Sequence, residues 1–353
     1  MDNIDYLIDQ LKKADQFQKI ENSTVSQLEK YETLYSVRLD GFGQRILNYI
    51  YTLRIAKKLN KKIILMWDTS KNTGSSVIHG LKDDDVEIYQ NISIIKFNSD
   101  LERFFKFGKR DAIKKNIFYH GKIYYFENEN LRDVITEISN LYKNLKLHED
   151  IQKIVNNMQV YEYGIHSRSG DINMTEINLS QGNFSWHTRD RLQLERSYPN
   201  EAYMKIINDL KPTNIFVCSS SEKFINDVSV LDNVRTLEKD FDQHKFIGTK
   251  KFVLDIHALS KCKKLICTFS SAATLMAIFL RINSTNITPI NYLKIEGIYK
   301  ELSNVIKDQY DKLNSPKFMV KRIIILYLGR FYRFFIRRYI KLLFKKKFNN
   351  KIV

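Results

Sequence analysis

Four prolines, twelve glycines and three cysteines are all that a chain of 353 residues carries of these types. So little Pro and Gly, with no repeat and no biased tract, excludes a long disordered linker and points to a compact body. Cys218, Cys262 and Cys267 have no paired spacing, so neither a disulfide framework nor a zinc site is indicated. They read as buried thiols in a reducing compartment. No apolar run reaches the roughly 20 residues of a membrane span. The opening MDNIDYLIDQLKKADQ is charged throughout and lacks the apolar core of a secretory signal, which sets the expectation of a cytoplasmic protein.

One thing is abundant: positive charge, 57 basic against 40 acidic residues, a net +17. Its position matters more than its size. Pro316 to Val353 holds twelve Lys or Arg and no acid, leaving 45 basic against 40 acidic residues elsewhere. In that tail Arg330, Arg333, Arg337, Lys341 and Lys345 recur at helical spacing opposite Phe331, Phe334, Phe335, Ile340 and Phe344. An amphipathic helix of this kind suits an anionic membrane surface. A nucleic-acid partner would not need so many bulky apolar residues, so none is expected. The plain alternative is a helix packed on the body with its charged face in water.

The body alternates strands and helices. A polar segment, residues 1–34, is expected to be helical and peripheral. A glycine turn and helix follow over Gly41 to Leu59, then the strand Ile63 to Trp67. Further strand-like runs are 92–97 and 122–126, and a helix over 129–158 is predicted to break near His148. The second half holds a strand ending at His166, a helix over Asn200 to Leu210, the strand 214–219 and a helix–strand–helix unit around Cys267. Alternation of this kind predicts mostly parallel sheets with right-handed crossovers. The expected divisions are 35–155 and 156–312, two Rossmann-type domains facing a cleft, with 313–353 as the basic tail.

Chemistry concentrates at three strand-to-helix junctions, where open α/β sheets bind ligands. Leu254 to Leu280 reads LDIHALSKCKKLICTFSSAATLMAIFL, a short apolar strand entering a helix through Ser270 and Ser271. Free backbone N–H groups, two hydroxyls and a helix N-terminus make such a turn a diphosphate candidate. Serine pairs are also ordinary N-caps, which is the competing explanation. Tyr163 to Asp171 reads YGIHSRSGD, placing His166, Arg168 and Asp171 at a strand's end. Leu39 to Trp67 supplies a third junction, opened by Gly41 and Gly43.

These segments resemble the α1,6-fucosyltransferase family, within a wider GT-B-like fucosyltransferase superfamily. The resemblance is closest at VLDIHALSKCKKLICTFSS, shorter at HSRSGDINMTE and looser from GFGQR to Trp67, about a quarter of the chain. It implies an inverting, metal-independent transferase with GDP-fucose as donor and no resident cofactor. Arg168 then matches the arginine that grips the β-phosphate, where a planar guanidinium meets two oxygens as charge grows on the leaving group. His166 and Asp255 match positions that contact the base and its surroundings, Ser271 a serine on the diphosphate, and Gly41 and Gly43 a glycine loop where backbone amides approach the phosphates. Glu176, ten residues after His166, matches the general base that would deprotonate an acceptor hydroxyl. A surface glutamate is its plain alternative.

The chain also departs from the family. Ser169 stands where a second arginine is usual, Ile172 replaces a lysine, and Ser219, Ser220 and Ser221 replace an acidic pair. Fewer cations face the diphosphate unless Arg38 or Arg45 compensates. Another nucleotide sugar therefore stays open, as does a non-catalytic nucleotide-sugar-binding membrane scaffold. The polar stretch between Glu176 and Pro199, with Trp186, His187 and Arg189, suits a glycan or glycolipid acceptor as well as it suits a plain surface insertion.

Overall fold

The protein is described from a computed structural model covering residues 3–38, 41–68, 88–97, 113–114, 116–119, 121–167, 200–219, 222–240, 248–267, 271–282 and 290–292. Residues 1–294 form one compact unit holding every element below, and 295–353 form a second, which lies outside the described residues. The basic tail falls there.

The first half contains α1 (Asn3–Lys13), β1 (Phe17–Ile20), α2 (Asn22–Leu28), β2 (Thr33–Val37), α3 (Phe42–Lys58), β3 (Lys62–Asp68), β4 (Ile94–Phe97), β5 (Ile113–Lys114), β6 (Ile117–Phe118), β7 (Ile123–Phe126), α4 (Leu131–Lys143) and α5 (Glu149–Asn157). Five of these strands form a sheet in the order β4-β3-β2-β6-β5, parallel except for the β5–β6 pair. The helix expected over 129–158 divides as foreseen, with His148 at the N-cap of α5.

The second half contains β8 (Tyr163–Ser167), α6 (Asn200–Leu210), β9 (Ile215–Ser219), α7 (Glu222–Ser229), β10 (Val234–Arg235), α8 (Leu237–Asp240), α9 (Gly248–Ser260), β11 (Lys264–Cys267), α10 (Ala272–Arg281) and β12 (Ile290–Tyr292). Its strands are all parallel and run β10-β9-β8-β11-β12. In chain order that is 3-2-1-4-5, the Rossmann arrangement. The central strands are apolar on both faces, as burial between two helix layers requires.

The N-terminal segment differs from expectation. Ile4, Leu7 and Leu11 of α1 are wholly buried in the main core, and β1 pairs in parallel with β7 as a separate two-stranded sheet. The polar composition of residues 1–34 hid an apolar stripe at helical spacing, which is what docks α1. The run at 122–126 is a strand, yet it belongs to this small sheet and not to the main one.

α3 is buried almost all round, an unusual setting for a helix with four long or polar side chains inside it. Each is provided for. Asn48 Nδ2 donates to Ser36 Oγ at 2.7 Å and to the Phe118 carbonyl at 3.0 Å, while its Oδ1 accepts from Gly121 N at 2.9 Å. One amide thus ties together the ends of β2 and β6. Thr52 donates back to the Asn48 carbonyl, and Arg54 pairs with Glu129 and Glu137 while donating to the Tyr124 carbonyl. The Arg45 guanidinium lies over the Trp67 ring, 4.4 Å from its centre.

α10 is fixed just as firmly. Ser139 of α4 donates to the Phe279 carbonyl at 2.6 Å, and Lys143 caps the Ile282 carbonyl. Arg281 donates to the carbonyls of Leu259 and Lys263, both at 3.2 Å. Among the described residues no helix is long and apolar enough to cross a membrane.

Candidate functional site

In the second sheet the chain builds outward from β8 to β9 and β10, then returns to place β11 on β8's other side. With right-handed crossovers, helices leaving β8 and β11 go to opposite faces, which opens a crevice at the carboxyl ends of these two strands. His166 is on β8 beside that end, its Cα in register with Cys267 of β11 and Cys218 of β9. Its Nδ1 is 3.1 Å from the Thr274 hydroxyl, in the first turn of α10.

Ser271 is the N-cap of α10, with an extended backbone (φ −74°, ψ 135°) and a buried side chain. Its hydroxyl makes no capping hydrogen bond. The capping explanation for this serine therefore does not hold. The first-turn N–H groups of α10 keep their donors, since an α-helix has no internal acceptors for them, and the helix dipole adds positive potential at the same place.

A second helix start meets this one. A Cβ on Gly43, in the first turn of α3, would come 2.9 Å from Ala272 Cβ, 2.9 Å from Phe252 Cζ and 3.3 Å from Met276 Sδ. Only a glycine lets α3 approach the first turn of α10 so closely. Protein atoms fill the space on the side-chain side of Gly43, a packing reason for glycine that stands beside the backbone–phosphate approach implied by the resemblance. Phe42 beside it packs edge-on to Phe252 of α9, with ring centres 5.9 Å apart. Gly41 is the N-cap of α3, in an extended conformation (φ −62°, ψ 163°) that any residue adopts.

Asp255 lies on α9, and Lys251 one turn earlier bridges it to Glu238 of α8, with both ion pairs at 3.2 Å. Burial pushes the Asp255 carboxyl up to about 6, with Lys251 opposing. Burial works against the Lys251 ammonium too, yet the two carboxylates hold it well above the usual lysine range. Burial likewise drives the thiols of Cys262 and Cys267 up to about 12, so they are inert core groups, as expected for all three buried cysteines.

Of the residues singled out from sequence, His166 bonds the first turn of the helix that Ser271 opens, and Gly43 packs against Ala272 of the same turn. Asp255 stands over the neighbouring β9. Arg168, Asp171, Glu176 and Ser270 lie outside the described residues. The two compensating arginines are engaged elsewhere. Arg45 is buried on Trp67, and Arg38 packs on Gly121, where a Cβ would come 2.2 Å from its Nη1. Sequence reasoning missed Thr274, Lys251 and Glu238. Spacing signals the first two, three residues after Ser271 and four before Asp255; nothing local signals Glu238.

Together these features define a parallel α/β protein with a helix start, that of α10, at the switch point of a Rossmann-ordered sheet. No family model matches the chain, and no characterised protein matches it in sequence. Among solved structures it is similar to fucosyltransferase NodZ from Bradyrhizobium, at a TM-score of 0.42 and 13% identity, over 71% of this chain and 94% of that one. It is similar to NodZ alpha-1,6-fucosyltransferase soaked with GDP-fucose at 0.39 and 15%, over 71% and 93%. POFUT1 in complex with GDP gives 0.37 and 9%, over 74% and 98%. The chemistry that follows rests on the chain's own residues.

Proposed function

We propose that this chain is an inverting, metal-independent glycosyltransferase that moves fucose from GDP-fucose to a saccharide hydroxyl on a glycan or glycolipid of a bacterial surface. The observation that supports this most is the uncommitted Ser271 hydroxyl at the start of α10, set where α3 begins as well. Two helix N-termini and a hydroxyl suit a diphosphate, whose charge rises as the sugar leaves. The donor's identity rests on the motif resemblance at VLDIHALSKCKKLICTFSS and HSRSGDINMTE.

In this reading the site lies in a cleft between the two halves. Arg168, the residue after β8 ends, forks onto two oxygens of the leaving GDP, and Ser271 donates to the same group. Asp255 and His166 receive the base and its surroundings. Glu176 takes the acceptor proton as its oxygen attacks the anomeric carbon, and GDP departs from the opposite face, which inverts the configuration. The tail, residues 316–353, holds the enzyme against the anionic inner face of the membrane.

The test is turnover of a panel of nucleotide sugars by purified protein and by Arg168→Lys. Hydrolysis or transfer with GDP-fucose and a large loss in the variant is expected. Turnover with none of the GDP-sugars defeats the reading. Because Ser169, Ile172 and Ser219 to Ser221 remove cations and acids from the matched motifs, another nucleotide sugar is the second reading, and the same panel separates the two. Deleting residues 316–353 should release the protein from anionic liposomes with donor turnover retained; continued liposome binding refutes the anchor.

A further inference from the structure

In a Rossmann-ordered sheet the ribose of a bound nucleotide passes over the carboxyl end of the second strand, where an acidic side chain takes its hydroxyls. The second strand here is β9, which ends in Ser219 and is followed by Ser220 and Ser221, with no acid before Glu222 opens α7. A carboxylate nevertheless lies on the carboxyl-end side of that strand's neighbour. It comes from α8, which opens two residues after β10, the strand paired in parallel with β9.

α8 is built to hold Glu238 still. Thr236 caps its start, accepting from Lys239 N, and Leu237 is buried. Lys239 Nζ donates to the carbonyls of Leu231 and Val234, each at 3.0 Å, and Asp240 accepts from the Tyr161 hydroxyl. Glu238 is held as well: its carboxylate accepts from Thr236 and its own backbone N–H and pairs with Lys251, while 46% of its side chain stays in solvent.

Resting on the nucleotide-sugar reading above, we propose that Glu238 is the ribose ligand of the donor, accepting from the vicinal 2′- and 3′-hydroxyls, and that Lys251 is the positioning residue that orients it. Lys251 holds one carboxylate oxygen of Glu238 at 3.2 Å, and the carboxylate also accepts from the Thr236 hydroxyl and from its own backbone N–H; with about four acceptor positions on two oxygens, the partly exposed group keeps capacity for a ligand hydroxyl. Two adjacent hydroxyls can then donate to one carboxylate in a charge-assisted pair. Burial alone would raise the Glu238 carboxyl, but Lys251 reverses this and keeps it below the usual range, so it is an acceptor throughout the neutral region. The distance also fits. From β11, where α10 receives the phosphates, to β9 is two strand spacings, roughly 10 Å, which a nucleoside diphosphate covers from its phosphates to its ribose.

The experiment compares GDP with 2′-deoxy-GDP, and UDP with 2′-deoxy-UDP, by calorimetric titration of the full chain, of Glu238→Gln and of Lys251→Met and Lys251→Arg. Wild type should bind the ribose form about tenfold more tightly than the deoxy form, the value of one charge-assisted hydrogen bond. Glu238→Gln should abolish the difference between the two forms, lowering the ribose form more than the deoxy form, which loses only the charge assistance at its 3′-hydroxyl. Lys251→Met should lose much of the discrimination, and Lys251→Arg should restore it. A Glu238→Gln protein that still separates ribose from deoxyribose, or a wild type that binds a nucleoside diphosphate without separating them, overturns this inference alone. A wild type that binds neither GDP nor UDP overturns the nucleotide-sugar reading as well.

Discussion

Gly43→Ala should separate two helix starts that the site needs together. A Cβ there lies 2.9 Å from Ala272 Cβ and 2.9 Å from Phe252 Cζ. The phenyl edge can tilt away, but the Ala272 methyl is attached directly to the backbone of α10. Ordinary carbon contacts are about 3.5–4.0 Å, so α3 and α10 must part by roughly 0.6–1 Å. Overpacking of this size costs about 1–3 kcal/mol. Alanine's better helix propensity returns up to about 1 kcal/mol, because Gly43 sits in ordinary helical backbone. The expected net loss is about 1–2 kcal/mol, read as a melting temperature lower by about 2–6 °C. The same displacement moves the first-turn amides by a large part of a hydrogen-bond length, so GDP binding should weaken by about tenfold or more. Thermal melts and calorimetric titration of one preparation read both effects. A variant that melts at or above the wild-type temperature with unchanged GDP affinity would show that the two helices do not meet as described.

Ser271→Ala should behave in the opposite way. Its hydroxyl makes no cap bond, so stability should change by less than about 0.5 kcal/mol instead of the roughly 1 kcal/mol of an ordinary N-cap loss, while GDP affinity falls about fivefold to tenfold. A destabilised Ser271→Ala with intact binding returns the residue to plain capping. Donor binding should also depend on pH: Asp255 titrates at about 6 in the folded protein, so affinity should rise between pH 5 and 7 as it ionises, and a flat profile excludes it from the subsite. Stability should move the other way. Asp255 and Asp240 are both raised to about 6 against about 3.9 unfolded, so between about 4 and 6 the folded state binds more protons and these two groups make unfolding easier as pH rises. Arg54→Met leaves the carboxylates of Glu129 and Glu137 facing only Lys58 and should cost about 3 kcal/mol in denaturant melts; a loss below about 1 kcal/mol would make the network incidental.

What could be read from the sequence was local in origin. Apolar runs at 63–67, 214–219 and 264–267 are strands because a parallel strand covered on both faces must be apolar throughout. The helix break at His148 and the helix after Gly41 follow from composition in the same way. Partner choice is not local. Nothing in Ile123 to Phe126 says that it pairs with β1 instead of extending the main sheet, and the stripe Ile4, Leu7, Leu11 is short enough to vanish among charges. Site residues divide along the same line. His166 and Ser271 lie at strand ends, where chemistry is visible in the chain itself; Glu238 meets Lys251 of α9 only through the placement of α8.

The missing cations now have a physical counterpart. Ser169 and Ile172 remove two positive side chains from the matched motif, and Arg38 and Arg45 are turned to Gly121 and Trp67. What the chain has in their place is backbone. Each helix N-terminus carries about half a unit of positive charge, so α3 and α10, brought together at Gly43 and Ala272, supply close to the charge of one guanidinium. A side-chain cation can swing away and must be ordered each time it binds. Helix termini held by Ser139, Lys143 and Arg281 at one end of α10 and by Phe42 and Gly43 beside the other have no such freedom. On the proposed function, anion affinity is therefore a property of helix packing, and changes in the core behind the site should act on binding as directly as changes in the residues that touch the ligand.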